Sequence, residues 1–139
     1  MLNKKFPART AGSKMISTIP RVQIGETIRD IERMLLKKAK TFDTIDYVYV
    51  VDENNVLRGV ISIKEILGMP KKDVKIEEAM KKDLIVAYPL TLQERMVYLA
   101  LSHNLKAIPV VDKRRRLLGI VPYETILQIF NEEVREDVF

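Results

Sequence analysis

The sequence contains no cysteine, no tryptophan and a single histidine, His103, among its 139 residues. The absence of cysteine excludes disulfides, cysteine-based zinc sites and thiol catalysis. One histidine cannot build the usual histidine-based metal or acid–base arrangements. The sequence also lacks a run of about 18 consecutive apolar residues and the apolar core of a signal peptide, so we expect a cytosolic chain.

Nothing in the sequence resembles a nucleophile with its base, a phosphate-binding loop or a dinucleotide fingerprint, so we expect no enzyme activity. The net charge of +5 comes from short, dispersed basic clusters, with one acidic run at the C-terminal end. Such clusters are typical of solvated helix ends and turns, with attraction of polyanions or nucleotide phosphates as the alternative. Without a recognisable nucleic-acid motif, we expect no nucleic-acid partner.

The composition is that of a globular protein, with 47% hydrophobic and 31% charged residues. The length suits one domain, which buries roughly 68% of its unfolded surface, whereas a half of about 60 residues alone is marginal. We therefore expect the two halves to fold together.

A repeat with a shift of 60 positions organises the chain. Residues 47–67 return as residues 108–127, with V-V-D followed seven positions later by a glycine in both copies. Each copy has two apolar runs joined by a polar turn, and the glycine precedes a short helical pattern. Two copies indicate one pseudo-symmetric domain, because a solenoid needs three or more.

Local patterns predict an α/β (α+β) fold in which each repeat runs strand, helix, strand, strand, helix. Thr27 and Thr91 each precede an amphipathic segment and have an acid three positions later, so each is predicted to cap a helix. The predicted organisation is an N-terminal arm at 1–14, repeats at 15–70 and 80–131, a linker at 71–79 and an acidic tail at 132–139.

These features resemble a pair of CBS domains, the cystathionine-β-synthase-type module that works in tandem. The shared pattern is a strand preceded by methionine, a threonine-capped helix, the V-V-D turn and a glycine before two apolar residues and a helix. The methionine-led strands read K-M-I-S-T-I-P-R-V and A-M-K-K-D-L-I-V-A. The resemblance covers residues 15 to about 130, which is nearly the whole chain.

Within that family the sequence is most similar to the cytosolic CBS region of MgtE-type magnesium transporters. Three stretches carry this closer match. They are T-A-G-S-K-M at 10–15, D-T-I-D-Y-V-Y-V-V-D at 43–52 and the tail N-E-E-V-R-E-D-V-F at 131–139.

CBS pairs that bind adenosine nucleotides resemble one another in a G-h-h-[S/T]-x-x-D signature, whose hydroxyl meets phosphate and whose carboxylate holds the ribose. The first repeat reads G-V-I-S-I-K-E, with Ser62 at the hydroxyl position and Glu65 where aspartate is usual. The resemblance implies that Ser62 and Glu65, with Pro20 and Arg21 opposite them, bind ATP, ADP or AMP. The alternative is a capping box, S-x-x-E, with a purely structural role.

The second repeat reads G-I-V-P-Y-E-T and lacks both polar groups, with Pro122 and Thr125 in their places. Proline suits the first turn of a helix, where its missing N–H costs nothing. The resemblance still allows main-chain contacts to a base in a cleft at Val86, Lys106, Ala107 and Ile108.

The transporter resemblance implies a second ligand, Mg²⁺, bound by acids on and beyond the closing helix of the second repeat. Mg²⁺ keeps several waters and needs only one or two carboxylates per site. The implied metal ligands are Glu124, Glu133, Glu136 and Asp137, whereas Thr125 and Gln128 stand where acids are expected. The alternative is that this acidic stretch is a solvated helix end.

The resemblance implies a regulatory module of, or associated with, an MgtE-like transporter, sensing Mg²⁺ and an adenine nucleotide at the cytosolic face of the membrane. Its implied partners are a second copy, joined through helical faces, and a transporter membrane domain in the same or another chain. One alternative is a free-standing cytosolic sensor of AMP, ATP or S-adenosylmethionine. Another is a structural dimerisation module with vacant clefts.

Overall fold

The computed structural model of the chain describes residues 5–138, with side chains as far as Arg135. The chain divides into two units. The first-repeat unit contains residues 18–84 and 114–117, and the second-repeat unit contains residues 5–17, 85–113 and 118–138. The predicted α/β fold with two repeats is confirmed.

Apart from the first strand of the second repeat and three short added helices, the helices and strands follow the predicted order. They are α1 (Ala11–Lys14), β1 (Arg21–Gln23), α2 (Ile28–Lys38), a 3₁₀ helix (Ala39–Thr41), β2 (Tyr47–Val51), β3 (Leu57–Ser62), α3 (Ile63–Gly68), α4 (Ile76–Ala79), α5 (Gln93–His103), β4 (Ala107–Val111), β5 (Leu117–Pro122) and α6 (Tyr123–Val138). Strand β2 pairs in parallel with β1 and antiparallel with β3, whereas β4 and β5 pair in a second sheet.

The first hairpin is set by its apolar runs and by the side chain of Asp52. Strand β2 is buried over its last four residues, and β3 alternates between buried and more exposed positions. The Asp52 carboxylate accepts hydrogen bonds from the backbone N–H groups of Asn54 and Val56, and Asn55 takes the left-handed conformation that asparagine tolerates. The polar turn therefore returns the chain antiparallel to β2.

Each unit has its own apolar core. Helix α2 contributes Ile28, Ile31 and Leu35, which are spaced as the helical pattern predicted. In the second-repeat unit, Met96 and Ala100 of α5 pack in the core with residues of β4 and α6. The predicted first strand of this repeat is reduced to a single parallel bridge, from Ala87 to Val110.

Part of the predicted N-terminal arm is built into the second-repeat unit. Helix α1 is buried along most of its length, and the backbone N–H groups of Ala11 and Gly12 donate to the carbonyls of Thr91 and Pro89. Residues before the first repeat thus complete the unit that carries the second.

The two predicted helix caps have different outcomes. Thr27 caps α2 and forms a capping box with Asp30, as predicted. The prediction for Thr91 was wrong: α5 begins one residue later than expected, with Leu92 at the cap position. The cause is tertiary, because the backbone of residues 9–11 pairs with residues 91–93, and the Thr91 hydroxyl instead accepts from the Tyr88 N–H.

A glycine in each hairpin allows another segment to cross the strand at close range. A Cβ atom at Gly119 would lie 2.5 Å from the Ile16 carbonyl oxygen, and one at Gly59 would overlap the Met80 side chain. The repeated glycine therefore makes room for the methionine-led segment.

We expect Gly119→Ala to lower the free energy of unfolding by about 1–3 kcal/mol, because its methyl group meets backbone that has to move. Gly68→Ala is the matched control, since nothing described lies within 4 Å of a Cβ there, and alanine favours the helix. Urea unfolding of both variants checks this. Equal stabilities for the two variants would contradict the close crossing.

Candidate nucleotide and metal sites

Ser62 and Glu65 form a closed pair at the C-terminal end of β3. The Ser62 hydroxyl accepts from the Glu65 backbone N–H at 3.0 Å and donates to the Glu65 Oε1 atom at 3.0 Å. This pair is the capping box of α3, so the structural alternative from the sequence is realised. Because the Glu65 side chain is exposed, the same groups also remain within reach of a ligand.

The carboxylate of Asp46 lies near this pair, beside the hydroxyl of Tyr47. Tyr47 lies directly across the hairpin from Ser62. Burial raises the pKa of the Tyr47 hydroxyl, and the nearby carboxylates of Asp46 and Glu65 raise it further. Negative charge at this place suits a ligand that donates hydrogen bonds, such as a ribose diol, better than it suits a phosphate.

The structure places the Arg21 guanidinium away from Ser62. Its Nη1 atom donates to the Leu117 carbonyl at 2.7 Å and to the Asn55 side chain at 3.2 Å, at the hairpin turn. Ser62 lies at the opposite end of β3. Burial lowers the pKa of Arg21, because the half-buried guanidinium loses hydration.

Pro20, the residue before Arg21, also makes a structural contact, with the sheet. Its carbonyl accepts from the Tyr49 backbone N–H at 2.9 Å, which joins the residue before β1 to β2. Of the four residues predicted to bind a nucleotide in the first repeat, Ser62 and Glu65 are hydrogen-bonded to each other. The other two, Pro20 and Arg21, make hydrogen bonds that hold the sheet and the hairpin turn.

The predicted residues of the second repeat surround the start of β4. Ile108 is fully buried in the core, Val86 is half-buried, and Lys106 is exposed. The Lys106 ammonium lies 5.5 Å from the centre of the Tyr123 ring, and the Lys106 carbonyl accepts from the Tyr123 backbone N–H at 3.0 Å. Cation and aromatic ring together can hold a phosphate and a base.

Tyr123 is a candidate binding residue that sequence reasoning missed. It is the first residue of α6 and directly follows Pro122. Pro122 stands where the nucleotide-binding signature has serine or threonine, so Tyr123 occupies the next position of that signature. An aromatic residue at that position is a signal that the sequence did contain.

The predicted metal ligands lie along one helix, with Glu124 on the opposite face from Glu133. Helix α6 continues through the predicted acidic tail to Val138. Glu124 and Glu133 are nine residues apart, about 13.5 Å along the axis and half a turn around it, so they cannot share an ion. The side chains of Glu136 and Asp137 lie outside those described, and their part in a metal site stays a prediction.

Glu133 has two partners from distant parts of the second-repeat unit. Its Oε1 atom accepts from the Arg9 guanidinium at 3.0 Å and from the Gln93 amide nitrogen at 2.6 Å. Gln93 is only 2% exposed, and its Oε1 atom has no hydrogen-bond partner among the described residues. Sequence reasoning missed both partners, because neither Arg9 nor Gln93 belongs to a recognisable motif.

The side chains around Glu133 could bind Mg²⁺ only at a site with few protein ligands. Within residues 5–135, no group of three His, Cys, Asp or Glu side chains is placed to hold a metal. One carboxylate and several waters form a chemically adequate set for this hard ion, although Gln93 faces Glu133 through its amide nitrogen rather than its oxygen. The Arg9 guanidinium, however, already neutralises the carboxylate of Glu133.

The chain belongs to the CBS domain family, which matches residues 11–71 and 74–132. It is similar to the magnesium transporter MgtE of Thermus thermophilus, with 31% identity over 134 residues. This match covers 96% of the chain but only 30% of the transporter, so the chain spans about a third of the length of that relative. Both levels of the resemblance seen in the sequence are confirmed.

Solved structures agree with this assignment. The cytosolic domain of the Mg²⁺ channel MgtE in complex with ATP has a TM-score of 0.86 and 30% identity, covering 90% of this chain and 50% of that one. A CBS domain pair in complex with 5′-methylthioadenosine and S-adenosylmethionine has a TM-score of 0.73 and 26% identity, covering 91% and 99%. In the described part of the chain, no helix is long and apolar enough to cross a membrane.

Arg21→Gln tests the structural role that the contacts give this arginine. We expect the free energy of unfolding to fall by about 1–3 kcal/mol, because the Leu117 carbonyl loses a charged donor. Arg33→Gln, at an exposed position of α2, is the control and should stay within about 0.5 kcal/mol of the wild type. Urea unfolding measures both, and an unchanged Arg21→Gln variant would rule out this role.

Proposed function

We propose that this chain is a regulatory CBS pair of, or associated with, an MgtE-like magnesium transporter, and that it binds ATP or a related adenine nucleotide together with Mg²⁺. The observation that carries the proposal is the similarity, over 90% of the chain, to the ATP-bound cytosolic domain of MgtE. On this proposal the module lies in the cytoplasm, at the membrane face, and catalyses no reaction.

Two groups of side chains support nucleotide binding, and they offer different chemistry. In the first-repeat unit, the Glu65 carboxylate can accept both ribose hydroxyls, and the nearby Asp46 carboxylate makes a phosphate less favourable there. In the second-repeat unit, Lys106 and Tyr123 offer a positive charge and an aromatic face. We therefore propose that a nucleotide in the first-repeat unit is held by its ribose, and that a nucleotide in the second-repeat unit is held by its base or phosphate.

Regulation by such a module is a shift between arrangements of the protein. A ligand moves that equilibrium only if it binds one arrangement better than the other. We propose that Mg²⁺ acts at the acidic end of α6, where carboxylates otherwise repel one another and the partial negative charge of the helix end. Binding there would stabilise the arrangement that limits transport.

The proposed partner is a second copy, joined through helical faces. Helices α5 and α6 pack against each other and leave large apolar side chains exposed. Tyr98 and Leu101 lie one turn apart on α5, and Phe130 and Val134 do so on α6. This spacing gives each helix an apolar stripe of the kind that buries against another helix.

The second candidate is a free-standing sensor of AMP, ATP or S-adenosylmethionine that regulates another protein. It is favoured by the CBS pair bound to S-adenosylmethionine, which this chain covers over 99% of its length. The reading frame and its neighbours distinguish the two candidates. A frame that stops at residue 139, with no gene for a membrane protein beside it, would favour the free-standing sensor.

Calorimetric titration of the purified chain with ATP, ADP, AMP, S-adenosylmethionine and Mg²⁺ tests the proposal directly. We expect heat with at least one adenine nucleotide and with Mg²⁺, and a rise in melting temperature with each, because ligand that binds only the folded state stabilises it. Absence of heat and of thermal shift for all five would leave the structural dimerisation module as the better interpretation.

Substitutions at the signature positions test where the nucleotide binds. Glu65→Gln should weaken nucleotide binding about tenfold, because a charged acceptor for the ribose is lost, and it should change stability little, because glutamine also closes a capping box. Ser62→Ala should weaken binding more than Thr125→Ala, which is the control in the second repeat at the position that matches Glu65. Equal dissociation constants for the two alanine variants would argue against a first-repeat site.

A further inference from the structure

One carboxylate in the acidic stretch of α6, that of Glu133, is hydrogen-bonded to other side chains and not only to solvent. Glu133 keeps about a quarter of its side-chain surface exposed, and it is held by a charged donor from the N-terminal segment and a neutral donor from α5. These two residues are 124 and 40 positions away in the sequence. Only the tertiary fold brings them to this carboxylate.

The Gln93 amide is an independent sign that another ligand fits here. Its nitrogen donates to Glu133, but its oxygen is buried and accepts no hydrogen bond from the described residues. An orphaned buried acceptor costs about as much as a lost hydrogen bond, so native proteins rarely keep one without a reason. When the Gln93 amide turns over, its oxygen faces Glu133, where a water of a hydrated cation would supply the missing donor.

The Arg9 guanidinium is a charge that such a cation would have to displace or share. It donates to the same Oε1 atom that accepts from Gln93, at 3.0 Å. Its segment is fixed by backbone contacts, because the Arg9 carbonyl accepts from the Gln93 backbone N–H at 2.9 Å. The side chain itself is half exposed, so it can leave the carboxylate without unfolding the segment.

We propose that Arg9 is an internal competitor of Mg²⁺ for Glu133, so that the Arg9–Glu133 ion pair sets how much Mg²⁺ is needed to occupy the acidic end of α6. The inference rests on the proposed sensing of Mg²⁺ and adds to it a counter-charge from outside the acidic helix. Exchange of Arg9 for Mg²⁺ would also remove the ion pair between the N-terminal segment and α6. The ion would thereby gain a means of changing the contacts of that segment.

Arg9→Gln tests the competition, because glutamine keeps a polar side chain and removes the charge. Calorimetric titration with MgCl₂ at constant ionic strength should show an association constant about threefold to tenfold higher than that of the wild type. Lys14→Gln is the matched control. It removes one positive charge from the same N-terminal segment, makes no ion pair with Glu133 in the described structure, and should leave Mg²⁺ affinity nearly unchanged.

A double variant shows whether the effect acts through Glu133. In a Glu133→Gln background, which keeps an acceptor for Gln93, Arg9→Gln should no longer raise Mg²⁺ affinity, since the effects of two contacting residues are not additive. An equal gain in that background would mean a general charge effect and would overturn the proposal.

The outcomes separate this inference from the proposed function. If the wild type and Arg9→Gln bind Mg²⁺ equally, Mg²⁺ sensing stands and the competition is wrong. If only Arg9→Gln binds, the competition is supported in its strongest form. If neither binds Mg²⁺, the Mg²⁺ part of the proposed function fails, and this inference fails with it.

Discussion

Each unit depends on a close crossing between a hairpin strand and a methionine-led segment. Ile16 exchanges two backbone hydrogen bonds with Ile120 beside Gly119, and Lys81 exchanges two with Val60 beside Gly59. These bonds pair N–H and C=O groups at one edge of each hairpin, which would otherwise need water or another chain. A side chain larger than hydrogen at either glycine would prevent this approach.

The crossings also bring together segments that are far apart in the sequence. The segment before the first repeat lies in the unit of the second, so Arg9 meets Glu133 across 124 positions of sequence. The segment that leads into the second repeat likewise contributes to the first-repeat unit. A ligand that acts on α6 is therefore linked to the N-terminal segment by side-chain contacts, and the repeat alone would not show this.

The two repeats share their backbone but have diverged in chemistry. The first keeps a hydroxyl and a carboxylate at the end of its hairpin, near Tyr47 and the carboxylate of Asp46. The second has proline there, and it places Lys106 beside Tyr123. Two copies of one sequence pattern thus carry different side chains at matching places. Those of the first repeat suit a ligand that donates hydrogen bonds, and those of the second suit an anion or an aromatic base.

The sequence by itself determined the two-repeat α/β fold, the hairpins, the cap at Thr27 and membership of the CBS family. It could do so because apolar periodicity, turn residues and capping boxes act over a few residues, and the V-V-D and glycine spacing occurs twice. Only the tertiary structure showed that Thr91 does not cap α5, that Arg21 serves the hairpin turn, and that Arg9 and Gln93 hold Glu133. Those contacts join residues far apart in the chain, and no local pattern encodes which distant backbone or side chain will lie beside them.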